Sequence, residues 1–290
     1  MVEQAPPTAS PRSRTRLAVQ GALSLVLVVA IFYYLITKID LPQAWAAITD
    51  MTWLELATLG LLAVWNLCTY AFVVIDFNQV IGGGSAVGPS LDTGIYVGDD
   101  DQVTVRHNSV TNYVIGVVVE NTIHASVQDN LLKQNTAGIY VAVFPDHPRP
   151  FTDDVLLERN QVLHNNLPNP VPADSGDEIG LVPTGAGIVN LGGDRVVIRD
   201  NRVLHNDSLG IAIVQNLLAP ADPRIEPNPD FNQVRRNVIL HNGQDPDPVR
   251  AITPGADIVY DGTGTGTCFA DNVFRTEFPA GITELFPCGG

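Results

Sequence analysis

Residues 196–206, VVIRDNRVLHN, contain the pattern that decides the fold. A short strand with alternating apolar residues ends at Asn201, and a second short strand ends five residues later at Asn206. The first strand with its terminal asparagine recurs along the chain, at Asn108, Asn130, Asn160, Asn201, Asn237 and Asn272. A residue type that returns at the same place in successive cycles indicates a structural repeat.

A third strand in each cycle begins with glycine. Gly94, Gly116 and Gly138 are spaced by 22 residues, and similar strands follow Gly187 and Gly210. Three short strands of period two cannot bury an apolar face alone, but stacked copies bury a continuous column. Asparagine at a coil corner can adopt a left-handed backbone and hydrogen-bond to its counterpart in the next coil. We therefore predict an all-β parallel β-helix of six to seven coils over residues 76–290, with an asparagine ladder.

This pattern resembles the right-handed parallel β-helix repeat family, the pectate-lyase-like group, over about residues 77–275. The strand that ends in asparagine carries most of the resemblance. The resemblance implies a right-handed solenoid but no particular activity, because lyases, hydrolases, epimerases and adhesins share this fold.

Two apolar stretches precede the repeat, at residues 17–37 and 53–75. Each is long enough to span a bilayer as a helix, since 21 residues extend roughly 31 Å. We predict a membrane segment at 17–75 with these two helices, after a basic, disordered N-terminus at 1–16. Residues 16–74, with IDLPQAW at 39–45 and WLEL at 53–56, resemble the truncated start of the lysylphosphatidylglycerol synthase transmembrane, flippase-like family.

The charge pattern gives conflicting indications of topology. Arg12, Arg14 and Arg16 precede the first span and favour a cytoplasmic N-terminus, so two spans would return the chain to the cytoplasm. The region after the second span is acidic instead, and residues 76–290 carry the whole net charge of −15. We predict a membrane protein with a lipid bilayer as partner and an extracytoplasmic β-helix. The acidity excludes nucleic acid as a partner, because phosphates would be repelled.

Candidate catalytic residues lie in loops that interrupt the coils. Insertions at 144–154 and 216–231 follow the glycine-anchored strands, and insertions at 166–184 and 243–254 follow the second asparagine. The first two insertions contain the acids Asp146, Asp153, Asp154, Asp222, Glu226 and Asp230. Paired carboxylates could cleave a glycosidic bond or ligate calcium for polyuronate elimination. The alternative is that they are solvated turn residues.

Histidines and cysteines supply two further sets. His164, His205 and His241 each precede the second asparagine of a coil and should stack. Such a column could bind a transition metal, or it could be an outward-facing strand end that tolerates histidine. Cys268 and Cys288 could form a disulfide in a C-terminal cap, which would suit an oxidising compartment.

Three hypotheses of function follow. The first is a membrane-anchored β-helix that binds surface or envelope glycans or has a structural role, without catalysis. The second is a polysaccharide lyase or glycoside hydrolase that uses the loop carboxylates. The third is a fragment of a lipid-handling membrane protein fused to an unrelated β-helix.

Overall fold

The computed structural model describes residues 73–76, 78–82, 90–145 and 147–289, together with isolated positions between 52 and 61. Its strands form three parallel sheets of seven, six and seven strands, and a coil contributes at most one strand to each sheet. The first sheet contains β1 (Val73–Asp76), β4 (Val103–Arg106), β7 (Ser126–Gln128), β10 (Leu156–Glu158), β13 (Val197–Arg199), β16 (Gln233–Arg235) and β19 (Cys268–Ala270). The second contains β2 (Gln79–Ile81), β5 (Ser109–Thr111), β8 (Leu131–Lys133), β11 (Gln161–Leu163), β14 (Arg202–Leu204) and β17 (Val238–Leu240).

The third sheet has the longest strands. It contains β3 (Ser90–Gly98), β6 (Tyr113–Glu120), β9 (Ala137–Ala142), β12 (Ala186–Leu191), β15 (Leu209–Val214), β18 (Ala256–Tyr260) and β20 (Glu277–Phe278). Short 3₁₀ turns lie at Glu178–Leu181 and Ala219–Ala221, and helix α1 covers Ile282–Leu285. The predicted parallel β-helix is confirmed, with seven coils stacked over roughly 29 Å at the usual strand spacing.

The core consists of inward-facing columns, one or more from each sheet. The third sheet supplies Ile95, Val117, Ile139, Ile188, Ile211 and Ile258, which are paired in register. The first supplies Val105, Val127, Leu157, Ile198, Val234 and Phe269. β-Branched residues suit these positions because they pack well on a pleated, buried surface.

The predicted asparagines lie in one column at the corner between the first and second sheets. Each side-chain amide donates from Nδ2 to Oδ1 of the next asparagine at 3.0 Å, from Asn78 through to Asn272. The left-handed residue at this corner is not the asparagine, as the sequence suggested, but the residue before it, such as Asp129 with φ 55°. That residue turns the chain, which leaves the asparagine amide free to point along the axis.

The start of the β-helix corrects one predicted boundary. Val73–Asp76 form strand β1 and pair in parallel with Val103–Arg106, so residues 73–75 are not the end of a membrane helix. Val-Val-Ile is apolar enough for a span, but its β-branched residues equally suit a buried strand. No helix among the described residues has the length and hydropathy to cross a bilayer. Residues 17–37 and most of 53–72 lie outside the described residues.

The C-terminal end of the rod is covered by its own cap. Helix α1 and the following tail pack on the last coil, where the Phe286 ring meets Tyr260 edge-on at 5.2 Å. Cys268 in β19 forms a disulfide with Cys288, which ties the tail to the first sheet. The cap covers apolar residues and strand groups that the last coil would otherwise expose.

Candidate ligand-binding groove

The third sheet is apolar on its outer face as well as its inner face. An outward column in register contains Tyr96, Val118, Tyr140, Val189, Ala212 and Val259. From Val118 onward these residues are buried and form a second apolar cluster outside the core. A side chain that points away from the core is buried only if something else covers it, and here loops provide that cover.

The insertions at 166–184 and 243–254 cover one side of this outer face, and Arg250 links them to each other. Its guanidinium donates to the backbone carbonyls of Gly180 and Val171, both at 2.8 Å, and lies 3.3 Å from the Asp247 carboxylate. Burial acts to raise the pKa of Asp247, but hydrogen bonds from the backbone amides of Thr184, Val249 and Arg250 outweigh it and lower the pKa. The ionised carboxylate therefore stabilises the junction between the two insertions.

Between the sheet and these loops lies a groove of about 550 Å³. Phe144, Leu217 and Leu218 line it from the loops at the opposite corner. The wall on the other side contributes Ile179, Leu181, Val182, Val249 and Ile252. Leu181, Leu217, Val249 and Ile252 are exposed at the rim. The volume falls within the usual range for small-molecule sites.

A polar group of four side chains lies at the β3 end of the groove. The Tyr96 hydroxyl donates to Oε1 of Glu120, which is buried in the next coil. The His147 imidazole bridges two acids, with Nδ1 2.8 Å from Asp99 Oδ2 and Nε2 3.6 Å from Glu120 Oε1. The register of the sheet explains the first contact, since Glu120 pairs with Gly98, two residues beyond Tyr96. We call Tyr96, Asp99, Glu120 and His147 the polar end.

Burial and neighbouring charges set the electrostatics of Glu120, the buried member of the polar end. Burial raises the pKa of the Glu120 carboxyl above its usual range, and the charges of Glu178 and Asp99 raise it further. The hydrogen bond from Tyr96 and the charge of His147 act in the opposite direction but do not cancel the increase. Burial and the adjacent Glu120 also raise the pKa of Tyr96. Tyr96 is consequently a hydrogen-bond donor at neutral pH and not a base.

Tyr140 occupies the middle of the groove. It is 7% exposed, its side chain lines the groove, and its hydroxyl has no hydrogen-bond partner among the described residues. Burial raises the pKa of this hydroxyl. No described residue hydrogen-bonds to this hydroxyl, so it is available to a polar group of a ligand in the groove.

The charged side chains that line the groove are mainly acidic. Asp92, Glu120, Asp177 and Glu178 all contribute to the lining. Among the described residues of the lining, Arg250 is the one cation. Its guanidinium is already bound to the carbonyls of Gly180 and Val171 and to the Asp247 carboxylate. The groove therefore combines apolar walls with a negative potential.

The sequence-predicted carboxylates lie outside this groove, and most have separate partners. Asp153 forms an ion pair with Arg195, and Asp222 pairs with Arg224 at 2.5 Å. Asp154 is exposed, with Oδ2 3.7 Å from His124 Nε2. Asp146 lies outside the described residues.

Glu226 and Asp230 do converge, together with Asp194, which was not among the carboxylates predicted from the sequence. One carboxylate oxygen from each lies within 4.8 Å of the others. Burial raises the pKa of Asp194 to about 6, and the charges of Asp230 and Glu226 add to the increase, against a backbone hydrogen bond from Asp230. Other backbone and side-chain amides already occupy part of the cluster, since Thr265 donates to Asp230 and Asn228 to Glu226.

The predicted histidine column forms a regular stack. The His164 and His205 rings are 4.7 Å apart and nearly parallel, and those of His205 and His241 are 4.9 Å apart. The nitrogen lone pairs lie in the ring planes, so parallel rings do not point them toward a common centre. All three histidines occupy left-handed corner positions. The stack follows from the repeat of the coils.

The groove was not predicted from the sequence, although one signal of it was present. Strand β6, YVIGVVVE, is apolar without alternation, and such a run is typical of a strand buried on both faces. Glu120 is the last residue of this run. Its position indicates a carboxylate at the edge of a buried surface. His147 lies in a loop with no local signal that it reaches Glu120.

Comparisons with known proteins bear on the fold. No match is found among curated proteins. A solved structure described as the crystal structure of alginate lyase from Paenibacillus sp. str. FPU-7 shares 15% identity with this chain. The match covers 69% of this chain and has a TM-score of 0.45. It covers 56% of the alginate lyase, so this chain spans less than two thirds of the length of that protein. Residues 93–284, well over half of the chain, match the sequence profile of the right handed beta helix region, and the chain therefore belongs to that family.

Proposed function

We propose that this protein is a non-catalytic binding β-helix that holds an elongated, mainly apolar ligand in the groove on the third sheet. The observation that carries the proposal is a groove of about 550 Å³ whose floor and walls are largely aliphatic. The outward column would extend along the ligand for roughly 24 Å, from β3 to β18, at the usual strand spacing. Burial of apolar surface would supply most of the affinity.

The same lining disfavours the glycan hypotheses for this groove. A polyuronate needs cations, but the cation of the lining is engaged by Gly180, Val171 and Asp247, and four acids line the same space. A neutral glycan needs many hydrogen-bonding groups, whereas these walls offer mostly methyl and methylene groups. Elimination would also need a base, and Tyr96 is held protonated.

A second candidate function rests on the cluster of Asp194, Glu226 and Asp230. Carboxyl groups about 5 Å apart are typical of retaining glycosidases, and here one carboxylate oxygen from each of the three acids lies within 4.8 Å of the others. The raised pKa of Asp194 would suit a general acid. This candidate is a glycoside hydrolase, and its test is release of reducing ends from polysaccharides, with Asp194→Asn as the inactive variant.

We also propose that the β-helix acts outside the cytoplasm. The Cys268–Cys288 disulfide supports this placement, because such bonds persist in oxidising compartments. Attachment to a membrane through the N-terminal apolar stretches is part of the same proposal. Resistance of the β-helix to protease added outside intact cells would contradict it.

Site-specific labelling tests the binding proposal. Decanol with a diazirine at the chain end is bound to the full chain, irradiated, and the labelled residues are mapped by mass spectrometry. We expect labels on groove residues in the wild type and their loss in Ala212→Phe, which fills the floor of the groove. Ala270→Phe, on the outer face of β19, is the matched control and should label as the wild type does. Absence of groove labels in the wild type would overturn the proposal.

A further inference from the structure

We propose that the polar end, formed by Tyr96, Asp99, Glu120 and His147, binds an amine, so that the ligand of the groove is a cationic amphiphile. This inference rests on the proposed function, because it names the head group of the ligand whose apolar chain lies in the groove. It is carried by the position of a buried carboxylate at the end of an apolar channel.

The first step is the placement of Glu120. It is 6% exposed and lines the groove, and its side-chain partners among the described residues are the Tyr96 hydroxyl and, at 3.6 Å, the His147 ring. A carboxylate can accept about four hydrogen bonds, so these contacts leave acceptor capacity unused. An ammonium group has three donors and no acceptor, which matches that capacity.

The second step is the balance of charge. Asp99 and Glu178 act on Glu120 as like charges, and Asp92 lines the same groove. Among the charges that act on Glu120, the two acids oppose its ionisation and His147 favours it, while the nearby Arg149 and Arg224 are engaged by backbone carbonyls. An anionic head group would add repulsion, whereas an ammonium beside the buried Glu120 carboxylate would relieve it.

The third step is the shape of the polar end. Gly98 has no side chain, and a Cβ there would lie 2.3 Å from the Tyr96 hydroxyl oxygen. The glycine thus lets the Tyr96 ring lie across the strand and reach Glu120. The ring is 55% exposed, so it offers an aromatic surface beside the carboxylate, which favours a cation.

The fourth step is the second unpartnered group. Tyr140 is 7% exposed and lines the groove two strands from Tyr96 in the same outward column, and its hydroxyl has no partner among the described residues. A polar group near the head of an amphiphile, such as an amide or hydroxyl, would reach it while the chain continues over Val189 and Ala212. The occupant is therefore an amine with a long apolar chain.

Three probes with the same chain and different heads test the inference. Decylamine, decanol and decanoate, each with a diazirine at the chain end, are compared by the concentration that gives half-maximal labelling of groove residues in the full chain. We expect decylamine to label at about a tenfold lower concentration than decanol, since a charge-assisted hydrogen bond favours it, and decanoate to label least. In Glu120→Gln the preference for decylamine over decanol should shrink, because the hydrogen-bond acceptor is now neutral while Asp99 and Glu178 keep their charge; an unchanged preference would contradict binding of the amine by Glu120. Glu284→Gln, an exposed acid on the cap, is the control with the same change of charge and should keep the preference.

The outcomes separate the inference from the proposed function. Equal labelling by all three probes, or a preference for decanoate, would overturn the amine while the groove remains a binding site. No groove labelling by any probe would overturn both. Labelling of Glu120→Gln by decanol shows that the groove is intact in the variant. If Glu120→Gln does not fold, decanol will not label its groove, and the order of the three probes in the wild type then tests the amine.

Discussion

Arg159 donates two hydrogen bonds to Asp129 in the preceding coil, from Nε to Oδ1 and from Nη2 to Oδ2, each 2.9 Å long. Both residues occupy the left-handed corner position that precedes a ladder asparagine. The residues at this position alternate in charge type along the rod: His107, Asp129, Arg159, Asp200, Arg236 and Asp271. Arg236 and Asp200 repeat the same two-bond contact. Each coil therefore meets an opposite charge or a histidine in the next coil, which favours one stacking register.

The Asp129–Arg159 pair should contribute modestly and in a salt-dependent manner. Both residues are partly exposed, so solvent screens the contact and we expect a coupling free energy of about 0.5 kcal/mol. The variants Asp129→Asn, Arg159→Gln and the double variant give this coupling from denaturant unfolding. The coupling should fall toward zero at high salt. A coupling that salt does not change would indicate that shape, not charge, holds the pair together.

The asparagine ladder should contribute far more per residue. The Asn160 side chain is fully buried, donates to Asn201 and to the Val127 carbonyl, and accepts from Asn130. Asn160→Ala would leave those groups buried without partners, at a cost of about 3 kcal/mol. Thermal unfolding should register this as a drop of roughly 6–12 °C.

The matched control for Asn160→Ala is the next residue, Gln161, whose side chain is exposed in β11. Gln161→Ala should leave the melting temperature almost unchanged. A similar drop in both variants would mean that the strand, not the ladder, is sensitive to substitution.

The coils were predictable from sequence because their determinants are local and repeated. Alternating strands and asparagines at a fixed place in each cycle specify the ladder of Asn130 and Asn160 without any knowledge of the loops. The start of the rod was placed three residues late, because Val73–Ile75 suit a buried strand and an apolar helix equally.

The groove was not predictable in the same way, because it depends on contacts between distant insertions. Tyr96 and Glu120 are 24 residues apart, and their contact requires the register of β3 on β6. His147 reaches Asp99 across 48 residues. Likewise Glu226 and Asp230 were predicted as candidate carboxylates, but Asp194, which lies beside them, was not. Asp194 follows Gly192 and Gly193 in another coil, and no sequence motif links it to the other two acids.

Tyr140 provides a test that separates ligand binding from structure. Since its hydroxyl has no partner among the described residues, Tyr140→Phe should leave the melting temperature unchanged or raise it slightly. The same variant should weaken labelling by an amine probe that carries an amide near its head, because that amide would lose its contact with the hydroxyl, whereas decylamine, which has no such group, should label the variant as it labels the wild type. Tyr260→Phe is the control, since the Tyr260 hydroxyl donates to the Thr263 carbonyl at 2.7 Å and its loss should cost about 1 kcal/mol. Strong destabilisation by Tyr140→Phe would show that the hydroxyl has a structural role.

Arg250 should control the wall of the groove. Arg250→Met removes the hydrogen bonds to the Gly180 and Val171 carbonyls and leaves the buried Asp247 without its cation. We expect a loss of about 2–4 kcal/mol together with reduced decanol labelling, because the two insertions are no longer fastened together. Arg202→Met, at an exposed position on β14, is the control. Unchanged labelling in Arg250→Met would mean that the wall does not depend on this contact.

Asp194 should give the protein a measurable dependence on pH. Its pKa is raised from the ordinary value of 3.8 to about 6, so between these values the folded state binds more protons than the unfolded state. The free energy of unfolding should therefore increase as the pH falls from 7 toward 4, and the penalty of ionised Asp194 should be fully present above pH 6. Asp194→Asn keeps an acceptor for the Asp230 amide but has no charge, so it should be more stable than the wild type at pH 7 and should lack this component of the slope. The measurement is denaturant unfolding between pH 4 and pH 7, and Asp174→Asn, an exposed acid, should retain the wild-type slope. An identical slope in Asp194→Asn and the wild type would contradict the raised pKa.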